Sequence, residues 1–318
     1  MIVRRNLDPK VILFYSWKDL LYYLLLAVAV YTIDRYVAAI DFHLPFTIVT
    51  IISTALAIFL GFNNNQAYDR WWEARKIWGL MVNYSRAWAR QASTFLITES
   101  DAEQEELRVL KQRMIYRHAA FVHALRVFLR KRHDYDATRP EYMQPENEYA
   151  DCKHLMEEKE FKIFCAKDNP PNFLNQLQGE DLQRAFRRGW ISDFRYVQMD
   201  QTLVEFNNIQ GRSERIKNTP MPRPYTYFSR VFVSVHATLL PFAFVQELGW
   251  MMIPVSFIVS FVFRTLDMIG ERTQDPFDNK IDDTPMTSLS VTIERNVKEQ
   301  WGEQHLPEKP LVQEGIVF

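Results

Sequence analysis

The chain has 318 residues, a length that suits two soluble domains or one membrane module with cytosolic elaboration. Its formal net charge of −1 and mean hydropathy of −0.24 are averages that suit a soluble protein. Nine glycines and an aromatic content of 14% exclude a disordered chain, and two cysteines, Cys152 and Cys165, exclude a disulfide framework. The averages conceal a segregation of charge. No Asp, Glu, Lys or Arg occurs between Asp41 and Asp69, and only Glu247 interrupts the stretch between Arg230 and Arg264, whereas residues 99–217 are dense with charge. Uncharged blocks beside charge-rich ones predict membrane spans joined to a water-facing body.

Four spans are expected. The first covers residues 20–33, flanked by Trp17, Tyr22 and Tyr23 on one side and Tyr31 and Tyr36 on the other. No small-residue cleavage site follows it, so it reads as a retained helix. The second covers residues 45–62, with Pro45 in the first turn, where a helix tolerates proline. The third and fourth cover residues 231–246 and 250–263, joined by a turn at Glu247-Leu248-Gly249; both are short and need flanking residues such as Tyr225 to Ser229 to complete them. Lys and Arg are abundant at the N-terminus, in the middle block and after Arg264, while the two hairpin loops hold only Arg35. The positive-inside rule then places both termini and the middle block in the cytoplasm.

The middle block reads as helical. Trp71, Ala74, Trp78, Met81, Trp88, Ala92 and Phe95 recur at helical intervals, and so do Leu107, Leu110, Met114, His118, Phe121, Leu125 and Phe128. Residues 132–151, with Pro140 and Pro145, read as a polar loop, Asn169-Pro170-Pro171 as a helix break, and residues 305–318 as a polar tail. The expected division is 1–68 (two spans), 69–224 (cytosolic helices), 225–269 (two spans) and 270–318 (C-terminal segment).

The run Gly61-Phe62-Asn63-Asn64-Asn65-Gln66-Ala67-Tyr68-Asp69-Arg70-Trp71-Trp72-Glu73 resembles the prokaryotic branch of the bestrophin family. So do Glu214-Arg215-Ile216-Lys217-Asn218-Thr219-Pro220-Met221-Pro222 before the third span and Asp275-Pro276-Phe277 after the fourth. The resemblance implies an all-α integral membrane protein, assembled as a homopentamer around one central pore in the plasma membrane and conducting small monovalent ions. It implies a pore neck at Thr54, Ile58 and Phe62, whose spacing of four puts them on one helical face. Ile58 and Phe62 would form hydrophobic rings, and Thr54, where the family is usually apolar, would make one end wetter. It also implies a second, cytosolic aperture formed by Phe194 or Arg195.

Animal members of the family are calcium-activated chloride channels, and bacterial members can favour cations. An uncharged neck with aromatic edges leans toward anions, with a monovalent cation channel as the alternative. The run from Asp275 to Asp283 carries Lys280 and Ile281 where a calcium site needs oxygen ligands, so no calcium activation is expected. Each feature has a plainer interpretation. Ile58 and Phe62 suit a lipid- or core-facing surface; Thr47, Thr50, Ser53 and Thr54 suit hydroxyls bonded back to their own helix. Arg195 suits a surface arginine paired with Asp193 or Asp200, and Arg70, Glu73 and Arg75 suit an interfacial ion-pair cluster. His118 suits a core histidine, and His236, inside a span, a structural hydrogen bond. No metal-binding or enzymatic motif occurs, so no cofactor, metal or nucleic acid is expected. A transporter or an interaction scaffold is the runner-up class, although neither repeats nor broken midplane helices support transport.

Overall fold

The computed structural model describes residues 1, 9–37, 44–131, 149–310 and 317. Residues 132–148 of the expected loop at 132–151 and part of the expected tail at 305–318 lie outside them, and the loop's last two residues open a 3₁₀ helix, Ala150–Leu155. Among the described residues the long elements are all α-helices: α1 Pro9–Tyr36, α2 Phe46–Thr94, α3 Gln104–Arg130, α4 Glu158–Cys165, α5 Pro170–Arg187, α6 Asp193–Asn218, α7 Arg223–Leu248, α8 Met252–Thr273 and α9 Met286–Trp301. The second expected span and the helix after it are one continuous helix of 49 residues. Nothing in residues 62–71 breaks it, because Gly61 is the only glycine near the junction and no proline lies between Pro45 and Thr94. Arg35, expected in a loop, lies in the last turn of α1. Asn169 caps α5 by accepting from the Asn172 amide at 3.1 Å, with Pro170 and Pro171 in the first turn.

The described residues form two compact units. The first contains α1, α2 as far as Trp71, α7 and α8. Three helical stretches are long and apolar enough to cross a membrane: Phe14–Tyr36, Phe46–Thr94 and Arg223–Thr273, the last holding α7, a 3₁₀ turn Gly249–Met251 and α8. At 26 and 22 residues, α7 and α8 are each longer than the apolar windows within them. Gly249 sits at φ +51, a region that side chains disfavour, and lets the chain reverse between them.

The polarity of this unit is inverted. On α8, Ile258, Val262, Leu266 and Ile269 are exposed, while Ser256, Ser260, Arg264 and Asp267 are buried. Arg264 donates through Nε to Asp19 at 2.5 Å and through Nη1 to Asp267 at 2.7 Å, and Ser229 donates to Asp267 at 2.5 Å. Polar side chains turned inward and apolar ones outward make a surface for lipid.

The second unit is ordinary in polarity. It contains α2 from Trp72, α3, α4, α5, α6 and α9 around one core with Trp78, Trp88, Phe121, Phe164, Trp190, Phe206 and Phe277 at its centre. Most of both helical stripes read from the sequence enters that core, from Ala74 to Ala92 on α2 and from Leu107 to Leu125 on α3, with Phe95 packed partly buried against it. Cys152 is buried and Cys165 exposed, and no disulfide joins them. A buried ion cluster ties α3 to α4 and α5: Arg117 pairs with Glu160 at 2.7 Å and with Asp181, which also accepts from Arg113 at 2.7 Å.

His118 is buried, stacked 4.4 Å from the Phe206 ring, and bonded through Nε2 to Ser85 at 2.8 Å, while Nδ1 has no partner. It is thus a core histidine satisfied on one side only. Burial holds its pKa down at about 3, against 6.5 when free. The stability gained by keeping it neutral is complete above pH 6.5. It falls by about 1.4 kcal/mol per pH unit as pH drops below that toward the folded value.

Two stability predictions arise. His118→Gln flattens the acid side of the stability profile relative to wild type, measured by chemical denaturation in detergent with tryptophan fluorescence; an unchanged slope would refute the assignment. Asp181→Ala leaves Arg117 buried without one of its acids and costs about 3 kcal/mol, whereas Glu105→Ala, which breaks an exposed pair with Arg108, changes stability by less than about 1 kcal/mol.

Candidate functional site

The surface that α2 presents is built from its opposite side. Val49 packs against Leu240 and Ala243, and Leu56 and Leu60 pack against Val233. A half-turn of rotation away, Thr54, Ile58 and Phe62 form an exposed line, with Ile58 57% and Phe62 68% accessible. The helix is pinned in rotation by Ser53, which lies 2.6 Å from His236 Nε2 on α7 and donates to Val49 O at 2.7 Å. With its one proton Ser53 serves either the carbonyl or the imidazole, and where it serves the carbonyl His236 donates through Nε2. Its Nδ1 is left buried without a partner, and its ring lies 4.6 Å from Phe263. The structural hydrogen bond expected for His236 is present.

Three of the four hydroxyls considered along α2 bond to their own helix: Thr50 to Phe46 O at 3.0 Å, Ser53 to Val49 O, and Thr54 to Thr50 O at 2.9 Å. Thr54 therefore offers an oxygen lone pair along the exposed line rather than a proton. Asn63, Asn64 and Asn65 are not a uniform polar collar. Asn63 is buried, Asn64 donates to Leu266 O at 3.0 Å, and Asn65 is exposed. The contact to α8 is so close that a Cβ at Gly270 would lie 2.2 Å from Asn64 Oδ1. In the segment expected to form an ion-pair cluster, Arg70 donates to Gln274 O at 2.6 Å and Glu73 pairs with Arg215 at 2.5 Å.

In the second unit, Phe194 opens α6 and is 91% exposed. Arg195 folds back, with its guanidinium 5.5 Å from the Phe95 ring and Nη1 donating to Phe95 O at 3.4 Å. No pairing of Arg195 with Asp193 or Asp200 occurs among the described residues. The acidic run after Asp275 is closed by ammonium groups. Asp278 accepts from Lys217 at 3.1 Å and from Lys280 at 2.9 Å. Burial alone would raise the Asp278 pKa; the two lysines bring it down to about 2. Asp283 accepts from the Lys280 amide at 3.0 Å, yet burial still pushes it up to about 7. Among the described residues no group of three His, Cys, Asp or Glu is arranged to hold a metal.

Two polar clusters escaped the sequence reading. One is Asp19–Arg264–Asp267–Ser229; the Arg264 and Asp267 spacing of three was a local signal, but Asp19 lies far away in sequence. The other centres on Glu294, which accepts from His123 at 2.8 Å, His154 at 3.0 Å and Lys298 at 2.7 Å. Only the Glu294 to Lys298 spacing of four announces it.

Comparison with known proteins agrees over most of the length. Residues 11–299 match the family described as Bacterial/Fungal Bestrophin protein. A relative from Escherichia coli K12, named voltage-dependent anion channel-forming protein YneE, is 31% identical over 262 residues, covering 82% of this chain and 79% of its own. One from Ralstonia nicotianae, named voltage-dependent anion channel-forming protein RSc3414, is 30% identical over 270 residues, covering 84% and 81%. A solved bacterial bestrophin homolog from Klebsiella pneumoniae superposes with a TM-score of 0.79 at 30% identity, covering 90% of this chain and 98% of that one. With an all-helical fold, an outward apolar face and these matches, the chain belongs to the bestrophin family.

Proposed function

We propose that the chain is one subunit of a channel that passes small monovalent anions down their gradient, assembled as a homopentamer around a central pore in the plasma membrane. In this reading α1, α2, α7 and α8 are four spans and the charge-rich helices form a cytoplasmic body that carries both termini. The chain divides functionally at 1–68, 69–224, 225–269 and 270–318. It is not an enzyme.

The observation that carries the proposal is the exposed, uncharged line of Thr54, Ile58 and Phe62 on the face of α2 turned away from its own subunit's core. One subunit closes its interior with side chains, so an aqueous path needs several copies around an axis. Rings of Ile58 and Phe62 then make a neck that dewets when narrow. The names of the E. coli and R. nicotianae relatives support anions. The outward lone pair of Thr54 is the one feature that favours monovalent cations instead. Reconstitution in planar bilayers under asymmetric potassium chloride decides between them: a reversal potential near the chloride value supports the reading, and one near the potassium value overturns it. No current under that gradient favours a transporter or scaffold.

Ile58→Ala and Phe62→Ala are expected to raise single-channel conductance without loss of assembly, since each widens a ring and keeps a helix former. Unchanged conductance in both would remove these residues from the neck. Micromolar calcium is expected to leave currents and thermal stability unchanged, because Lys217 and Lys280 already neutralise Asp278. Currents that rise steeply with calcium would contradict that reading of the acidic run.

A further inference from the structure

The proposed neck carries no charge, and the protons of Thr50 and Thr54 are held by backbone carbonyls. The aromatic edges of Phe62 give only a slight lean toward anions, so stronger discrimination has to arise elsewhere. In the charge-rich unit, two arginines from different helices meet on one aromatic ring. Arg90, near the end of α2, places its guanidinium carbon 5.7 Å from the Phe95 ring centroid, and Arg195, in the first turn of α6, places its own at 5.5 Å. The hydrogen bond from Arg195 Nη1 to Phe95 O holds the second of them in place. Both side chains are exposed, and neither forms an ion pair among the described residues.

With both guanidinium groups against one ring, at most about 11 Å apart, their charges repel. The negative face of the ring offsets part of that cost, and an anion beside them would offset more. The surroundings suit one. Arg90 also lines an open cavity of about 510 Å³ with Arg86, Ala87, Ser93, Thr94 and Gln300, and no carboxylate shares its wall. Phe194, adjacent to Arg195, is the most exposed large apolar residue described.

We propose that Arg90 and Arg195 form a binding station for the conducted anion at the Phe95 ring, which makes Arg90 a selectivity-determining residue. The proposal rests on the anion-channel reading. Repeated around an axis, the stations make a cationic collar that concentrates small anions, with a reach of about 8 Å at physiological salt. Arginine suits the task because it stays charged and presents several fixed donors while lying on a ring.

The test uses the full chain in two independent assays. In bilayers at low ionic strength under a potassium chloride gradient, Arg90→Gln and Arg195→Gln are each expected to lower the chloride-to-potassium permeability ratio by roughly three- to fivefold, the scale of one unit charge near contact in water. The double variant should fall short of the product of the two, since both serve one station. In detergent, chloride in place of gluconate at equal ionic strength should raise the thermal stability of wild type, and Arg90→Gln should abolish that rise. Arg86→Gln, which alters the cavity wall without touching the ring, should preserve both properties. Wild-type permeability together with an intact chloride stabilisation in Arg90→Gln overturns the proposal. Equal effects from Arg86→Gln overturn it too, because they would reflect diffuse surface charge. A wild-type reversal potential at the potassium value overturns the anion-channel reading instead, and the chloride-stabilisation assay still decides whether the station exists.

Discussion

Lipid offers no hydrogen bonds, and the organisation of the apolar unit depends on that constraint. Every backbone amide and carbonyl in a span has to be paired within the protein, and helices do so one by one along the chain. Side chains obey the same rule. Ser229, Arg264 and Asp267 turn inward and join Asp19, while Ile258, Val262, Leu266 and Ile269 face outward. Small residues let these helices approach, and Gly270 marks the limit: Asn64 reaches the Leu266 carbonyl only because no Cβ stands in its way.

The charge-rich unit solves a different problem with the same secondary structure. Its polarity is that of a water-facing body: Trp78, Trp88, Phe121 and Phe206 are buried, while charged pairs such as Glu105 with Arg108 lie at the surface. Its interior still contains charge, and two clusters there match acids with bases. Arg117 has Glu160 and Asp181; Glu294 has His123, His154 and Lys298. The three donors hold the Glu294 pKa well below the usual carboxylate range despite its burial. Such clusters fix which helices meet more than they add net stability, because desolvation cancels much of their attraction. His118 shows the converse case, where a polar ring is kept neutral because no acid faces it.

Between these two solvents, α2 changes character without changing structure. Its hydroxyls lend their protons to the carbonyls one turn back, so the exposed line of Thr54, Ile58 and Phe62 offers shape and hydrophobicity rather than donors. In the proposed channel this separates two tasks. The neck sets size and hydration, and the arginines gathered at Phe95 set charge preference. A neck free of fixed charge passes ions without trapping them, while a station exposed to water binds them weakly enough to release.

The sequence alone determined the helical class, the membrane character and the family, because those rest on local quantities: runs without charge, apolar recurrence at three and four residues, and contiguous motifs. It also placed Thr54, Ile58 and Phe62 on one face, since helical phase follows from spacing. It did not reveal that the helix continues unbroken to Thr94, where a change in composition looked like a boundary although no residue there stops a helix. Only the tertiary structure decided which distant partners meet. Asp19 with Arg264, Ser53 with His236, Lys217 with Asp278, and Arg90 with Arg195 on Phe95 join residues from separate helices. Their pairing depends on how helices rotate and pack against one another, and no single segment's periodicity contains that information.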